Sequence, residues 1–298
     1  MVMRNDAMMR PEDLEAVDNV LYEPKREELK ARTLINLKRN IPRGAETYRY
    51  DVMTRTGVAK ILAPGASDVP LVDLDMKSET VLLYSIVSAF RVHIQELRQA
   101  QMAGRPIEST KANTVRRAIA EKENQLVWVG DADHNINGLT NAEGIQTLAV
   151  DQNSGGTSTE WADKTGKEIV TDVRKAKSKV DELPGYEADT LVVTPDNFEE
   201  LQKEYNQYTG QTVQQYIEAQ NWFSTIEKTS DLVGQGESGG DCFLVFDSAP
   251  EVVQLLIPMD ITRHDQEYAF PYYKVPAEER CGGVVIRYPM AIVRGDGV

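Results

Sequence analysis

From Tyr48 the chain alternates, with Tyr48, Tyr50, Val52, Thr54 and Thr56 on one side of an extended strand and Arg49, Asp51, Met53 and Arg55 on the other. The run continues to Leu62, is interrupted by Ala63-Pro64-Gly65-Ala66-Ser67-Asp68-Val69-Pro70, and is answered from Leu71 by a second run through Val81, Leu83, Ile86, Val87, Phe90 and Val92. This pattern predicts a hairpin over 45–92. Fully extended, Tyr48 to Leu62 spans roughly 50 Å, about the diameter of a globule of 298 residues with a radius of gyration near ~19 Å. Asp51, Arg55, Lys60, Asp68, Asp73, Asp75, Lys77 and Glu79 are expected to charge both faces of its distal part, and apolar density returns only from Val81 to Phe90. Bent strands of a barrel or sandwich are the competing reading, and the charge weighs against it. An isolated two-stranded ribbon is marginal in water, so the expectation is a ribbon rooted in a domain at its base and lying on neighbouring subunits at its far end.

Elsewhere the periodicity changes to that of helices. Leu14, Val17 and Leu21 predict a helix over 11–23 that Pro24 ends, and Leu29, Ala31, Leu34, Ile35 and Leu37 fit either a short helix or an extended arm. A helix over 94–104 closed by Gly104-Arg105-Pro106 is followed by a long one over 110–128. Ser109 is its expected N-cap; Val115, Ala118, Ile119, Leu126 and Val127 form its apolar stripe, and Glu123 falls among the polar positions. Ile169, Val173, Ala176, Val180 and Leu183 define an amphipathic helix that Pro184-Gly185 ends. Thr190 to Val193 reads as a buried strand, and Thr194-Pro195-Asp196 starts a helix in a unit reaching about Tyr208. Strands are expected at Cys242 to Phe246 and Val252 to Ile257, with a last pair, or one strand bent at Pro289, between Val284 and Val293.

Charge and chemistry narrow the function. Lys plus Arg is 33 against 47 Asp plus Glu, a net charge of −14, which opposes tight nucleic-acid binding. Pro24 to Gly44 is locally basic through Lys25, Arg26, Lys30, Arg32, Lys38, Arg39 and Arg43, either a solvated face or an arm lying along acidic neighbours. Cys242 and Cys281 are expected to be inert core thiols in a reducing compartment. No signal core or membrane-length apolar run is visible, so a cytoplasmic soluble protein is expected. His93, His134 and His264 lack metal-ligand spacing, and Asp131-Ala132-Asp133-His134 reads as turn chemistry. A phosphate loop ending at Gly166-Lys167 needs glycine at 161 and a hydroxyl at 168, where Trp161 and Glu168 stand. No serine elbow or dinucleotide fingerprint is present. No catalytic residue, metal ligand or cofactor is assigned.

The order of elements resembles the major capsid proteins of tailed bacteriophages, the Hong Kong 97-type fold shared with encapsulin shell proteins. The residues carrying the resemblance are the hairpin turning at Pro64-Gly65, Gln95-Glu96-Leu97 with Gly104-Arg105-Pro106-Ile107, and Asn124-Gln125-Leu126-Val127-Trp128-Val129-Gly130-Asp131. Ile136-Asn137-Gly138-Leu139-Thr140-Asn141 and Arg280-Cys281-Gly282-Gly283-Val284-Val285-Ile286-Arg287-Tyr288-Pro289 complete it.

That resemblance implies an α+β capsid fold: an N-terminal arm (1–44), an extended hairpin loop (45–92), a peripheral domain with a long spine helix (93–140 and 259–298) and an axial domain (141–258). It implies a homo-oligomer of pentamers and hexamers, an icosahedral shell enclosing a double-stranded DNA genome that it touches only non-specifically, with an acidic inner wall. The virion capsid would assemble in the host bacterial cytoplasm, away from membranes. Scaffolding, portal and decoration proteins are candidate partners; with no long leading scaffold domain, any scaffold would be separate. Arg49, Arg55, Lys60, Pro64, Gly65, Asp68, Pro70, Asp73 and Lys77, with Arg116 and Arg117 on the spine helix, are the candidate inter-subunit contacts. Some relatives cross-link a hairpin lysine to an asparagine; neither Lys60 nor Lys77 matches that motif, and no cross-link is expected. An encapsulin-type nanocompartment enclosing a cargo enzyme, and a soluble oligomeric enzyme without a recognisable motif, are the alternatives.

Overall fold

The computed structural model describes residues 26–56, 59–61, 72–103, 107–206, 208 and 210–298. The expected helix over 11–23, the turn at 63–70 and the stop at 104–106 lie outside them. The fold is α+β, and its main core surrounds a five-stranded sheet ordered Thr225–Lys228, Thr190–Val193, Cys242–Phe246, Ile292–Asp296 and Gln146–Ala149. Every residue of Cys242–Phe246 is buried, as a central strand requires. Against the sheet packs the helix Gly166–Asp181, which buries Ile169, Val173, Ala176 and Val180. Thr165 and Glu168 close its first turn as a capping box, which is what Gly166-Lys167 belongs to instead of a phosphate loop. Gly295 is needed for close approach: a Cβ there would stand 2.1 Å from the Phe243 ring.

A second sheet has four strands. Tyr272–Cys281 pairs with Tyr84–His93 along all ten residues, and Met259–Arg263 and Glu267–Ala269 also pair with it. One face lies on the long helix Ile107–Trp128, where Val115, Ile119 and Ala277 are buried with Ile86, Phe90 and Ile261 against them. A third sheet places Asn36–Lys38 parallel to Val253–Leu256, which pairs antiparallel with Val284–Ile286.

Several expectations are corrected. The second extended run is two strands: Asp73–Leu82 pairs with Thr47–Thr56, while Tyr84–His93 joins the four-stranded sheet. Leu83 between them is buried with Ile41, Leu256 and Val285, so the ribbon ends where an apolar side chain plugs into the body. The segment that fitted helix or arm is both, a turn of helix at Ala31–Leu34 and then the strand Asn36–Lys38, with Ala31, Leu34 and Ile35 in the chain's own core. The long helix begins at Ile107, so Ser109 sits in its first turn instead of capping it. Ala118 is exposed and Glu123 buried, the reverse of the stripe. The helix after Thr194 is only Pro195–Glu200, and the strand Glu204–Asn206 follows. The last apolar run divides between sheets at Pro289–Ala291, and its end, Ile292–Asp296, lies inside the five-stranded sheet instead of returning with the rest of the tail.

Candidate inter-subunit surface

The ribbon is a separate two-stranded sheet whose register runs from Thr47↔Leu82 to Thr56↔Asp73. Each strand has ten residues, a reach of roughly 33 Å. Its root is well held. Tyr48, Tyr50 and Val81 pack on the Ile41, Leu83, Leu256 and Val285 cluster. The Arg287 guanidinium lies 5.6 Å from the Tyr50 ring centre and donates to the Pro250 carbonyl at 2.7 Å and to Gln254 at 2.8 Å. Tyr50 donates to Glu79 at 2.7 Å, and Lys77 pairs with the same carboxylate at 2.7 Å. Lys77, then Tyr50, holds the Glu79 carboxyl below its ordinary range, and burial raises the Tyr50 hydroxyl.

Farther out, the register assigns the side chains to two faces. Opposed residues of an antiparallel pair share a face, so Tyr50, Val52, Lys77 and Glu79 lie on one side. Arg49, Asp51, Met53, Leu74, Met76, Ser78, Thr80 and Leu82 occupy the other. Charge lies on both faces, as the sequence pattern predicts: Asp73, Asp75, Lys77 and Glu79 share the tyrosine side, and Arg49, Asp51 and Arg55 share the other. The opposite side presents Met53, Leu74 and Met76, exposed at 41%, 55% and 67%. Met53 and Met76 are directly paired, an apolar patch that alternation within either strand alone did not reveal. Arg49 borders it, donating to Ser78 at 2.7 Å with Asp51 at 3.7 Å.

Of the other sequence-derived contacts, Arg55 and Asp73 occupy register positions at the ribbon's outer end, opposite Leu74 and Thr56. Lys60 is exposed, whereas Pro64, Gly65, Asp68 and Pro70 fall outside the described residues. Arg116 is exposed on the long helix. Arg117 is engaged within its own chain, donating to Glu121 at 2.8 Å and to the Glu27 carbonyl at 2.6 Å.

The four-stranded sheet also has an open face. Its face away from the long helix exposes Ser85, Val87, Ala89 and Arg91 beside Tyr272 and Lys274, with Val87 60% exposed. Beneath the ribbon's root lies a cleft of about 600 Å³ bounded by Tyr50, Lys77, Glu79, His134, Glu143 and Arg287.

The candidate chemistry resolves into structure. Asp131 accepts from the Asp133 amide at 3.1 Å and lies 3.1 Å from Lys122 and 3.2 Å from His134; hydrogen bonding to Lys122, then His134, holds its carboxyl down to about 2. Burial pushes the Cys242 and Cys281 thiols up to about 12. Among the described residues no group of three or more His, Cys, Asp or Glu is placed to hold a metal ion, and no helix is long and apolar enough to cross a membrane.

A mixed subunit with a projecting ribbon, an open sheet face and a charged arm has the architecture of a shell protein. Residues 57–298 match the major capsid protein family, and the chain belongs to that family. Its fold is similar to the capsid of Myoviridae phage XM1, with a TM-score of 0.81 and 15% identity over 99% of this chain and 100% of that chain. A chain of Mycobacterium phage Bobi gives a TM-score of 0.66 and 17% identity over 98% and 100% of the two chains. The virus-like particle from Pyrococcus furiosus gives 0.63 and 17% over 89% and 91%. The role of the family is structural, and the encapsulin-type alternative is not favoured.

Proposed function

We propose that the chain closes into an icosahedral shell of pentamers and hexamers around a double-stranded DNA genome, with its ribbon laid over the four-stranded sheet of an adjacent copy. The virion capsid assembles in the host bacterial cytoplasm, and scaffolding, portal and decoration proteins are candidate partners. The carrying observation is the Met53, Leu74 and Met76 face, apolar and exposed on a two-stranded sheet whose root packs on the body. Contiguous exposed apolar surface of this kind marks an interface, and the open face of the four-stranded sheet, where Val87 is exposed among polar neighbours, is the seat we assign to it. Arg49, Arg55, Lys60, Pro64, Gly65, Asp68, Pro70, Asp73 and Lys77 would then border or extend this contact, with Arg116 contributing from the long helix. The net charge of −14 keeps attraction to packaged DNA weak.

Electron microscopy of purified particles, with analysis of their contents, tests this reading. Closed shells containing DNA are expected from infected cells. Shells filled with a single protein would favour a nanocompartment, and a small soluble oligomer would contradict assembly altogether.

A further inference from the structure

Two strands that are paired along ten residues separate at the cleft beneath the ribbon's root. Tyr84 and Cys281 are the last pair of the ladder between Tyr84–His93 and Tyr272–Cys281. Beyond them one stretch of chain passes through Leu83 into the ribbon strand Asp73–Leu82, and the other passes through Gly282 and Gly283 into Val284–Ile286. The apex of this fork is filled: a Cβ on Gly282 would stand 2.6 Å from the Leu83 side chain, and one on Gly283, at φ +70°, would stand 2.6 Å from Ile136. Each strand then pairs on one side only, Asp73–Leu82 with Thr47–Thr56 and Val284–Ile286 with Val253–Leu256. Residues 79–82 and 284–287 both border the cleft of about 600 Å³.

Ladder geometry fixes where the backbone groups of these two edges point. Leu83 donates its amide to the Glu46 carbonyl at 2.9 Å. Every second ribbon pair counted from there is hydrogen-bonded, which leaves Thr80 and Leu82, opposite Arg49 and Thr47, with N–H and C=O turned away from the partner strand. The Arg287 amide donates to the Val252 carbonyl at 2.9 Å and the Leu256 amide to that of Gly283 at 3.1 Å. Val284 and Ile286 are therefore turned away from Val253–Leu256 in the same manner. Among the described residues neither edge meets a further strand, and an open edge is a template for one.

The geometry points to a strand-insertion site: an extended segment of a second copy of this chain enters the cleft and pairs with the edge at residues 80–82 on one side and the edge at residues 284–286 on the other. Main-chain hydrogen bonds supply the affinity in such an addition, and the inserted strand joins the two-stranded ribbon to the three-stranded sheet, bracing the ribbon against the body. The donor is a second copy because the cleft runs on from the open sheet face: Tyr84, which borders it, begins the strand that presents Ser85 and Val87. That choice of donor rests on the shell reading, whereas the two open edges are a property of the single chain.

Hydrogen–deuterium exchange of the purified chain, compared between the dilute free subunit and particles assembled from it alone, tests the site. The amides of Thr80, Leu82 and Ile286 are expected to slow by about tenfold or more on assembly, while those of Val81 and Val285, bonded within the subunit, are protected in both states. Thr80→Pro removes an outward donor and should raise the assembly threshold several-fold; Thr80→Val keeps that donor and should leave the threshold unchanged. Closed shells in which either edge exchanges as fast as in the free subunit overturn the insertion and leave the shell reading standing. A chain that stays monomeric overturns the second copy as donor and the shell reading together. An unchanged threshold for Thr80→Pro also overturns the pairing, and should that variant not fold, exchange in the unmodified chain decides.

Discussion

Replacing Met76 with aspartate probes the ribbon's apolar face without touching its root. Met53, Leu74 and Met76 are 41%, 55% and 67% exposed. Burying a whole side chain of this kind contributes about 1.5–3 kcal/mol, so covering the exposed fractions of all three yields about 2–5 kcal/mol per subunit, of which Met76 supplies about 1–2. Aspartate removes that share and places a carboxylate in the contact, which adds about 1–3 kcal/mol if no partner is found. A total of about 2–5 kcal/mol raises the concentration needed for assembly by roughly 30-fold or more, since ~1.4 kcal/mol is tenfold. The assay is light scattering and sedimentation across a concentration series, with circular dichroism to verify that the free subunit folds. Met102→Asp is the control, a methionine 88% exposed near the end of the helix Ile94–Ala103, and it should leave the threshold unchanged. Unaltered assembly of Met76→Asp, or an equal loss in the control, would refute the reasoning.

Other predictions concern the body. Gly295→Ala brings a Cβ to 2.1 Å from Phe243 in the central sheet; overpacking of about 1–3 kcal/mol should lower the melting temperature by several degrees. Lys164 and Asp172 form a buried pair at 2.6 Å; Lys164→Met leaves the acid alone and should cost about 3–5 kcal/mol in denaturant unfolding, and adding Asp172→Asn should recover part of it. Amides of Thr165 and Ser154 donate to Glu168, each at 2.7 Å, and hold its carboxyl down to about 2. Its contribution is present above the unfolded value near 4.5 and is lost as pH falls towards about 2. Glu168→Gln should flatten that part of an acid-unfolding curve. Because the side chain is only partly buried, the effect is small.

Local signals were read directly wherever one segment carries its own instruction. The helix Gly166–Asp181 follows its apolar spacing, Thr190–Val193 falls where a buried strand is expected, and Thr194 caps the next helix through the Asn197 amide. Long-range pairing was not legible. An unbroken apolar run passes through Val81, Leu82, Leu83 and Tyr84, yet Leu82 ends one pairing with Thr47 and Tyr84 begins another with Cys281. Glu123 occupies a polar position in the pattern but is buried, because its partner Arg32 lies 91 residues away. The candidate interface was half visible: the ribbon's length and punctuation marked it, but its apolar face exists only once register sets Met53 against Met76.

A high-resolution electron-microscopy reconstruction of the assembled particle tests the central claim most directly. The ribbon of each subunit should lie across another copy, with Met53, Leu74 and Met76 covered by the sheet face that carries Val87. Ribbons folded onto their own subunit, or standing free in solvent within a closed shell, would contradict it.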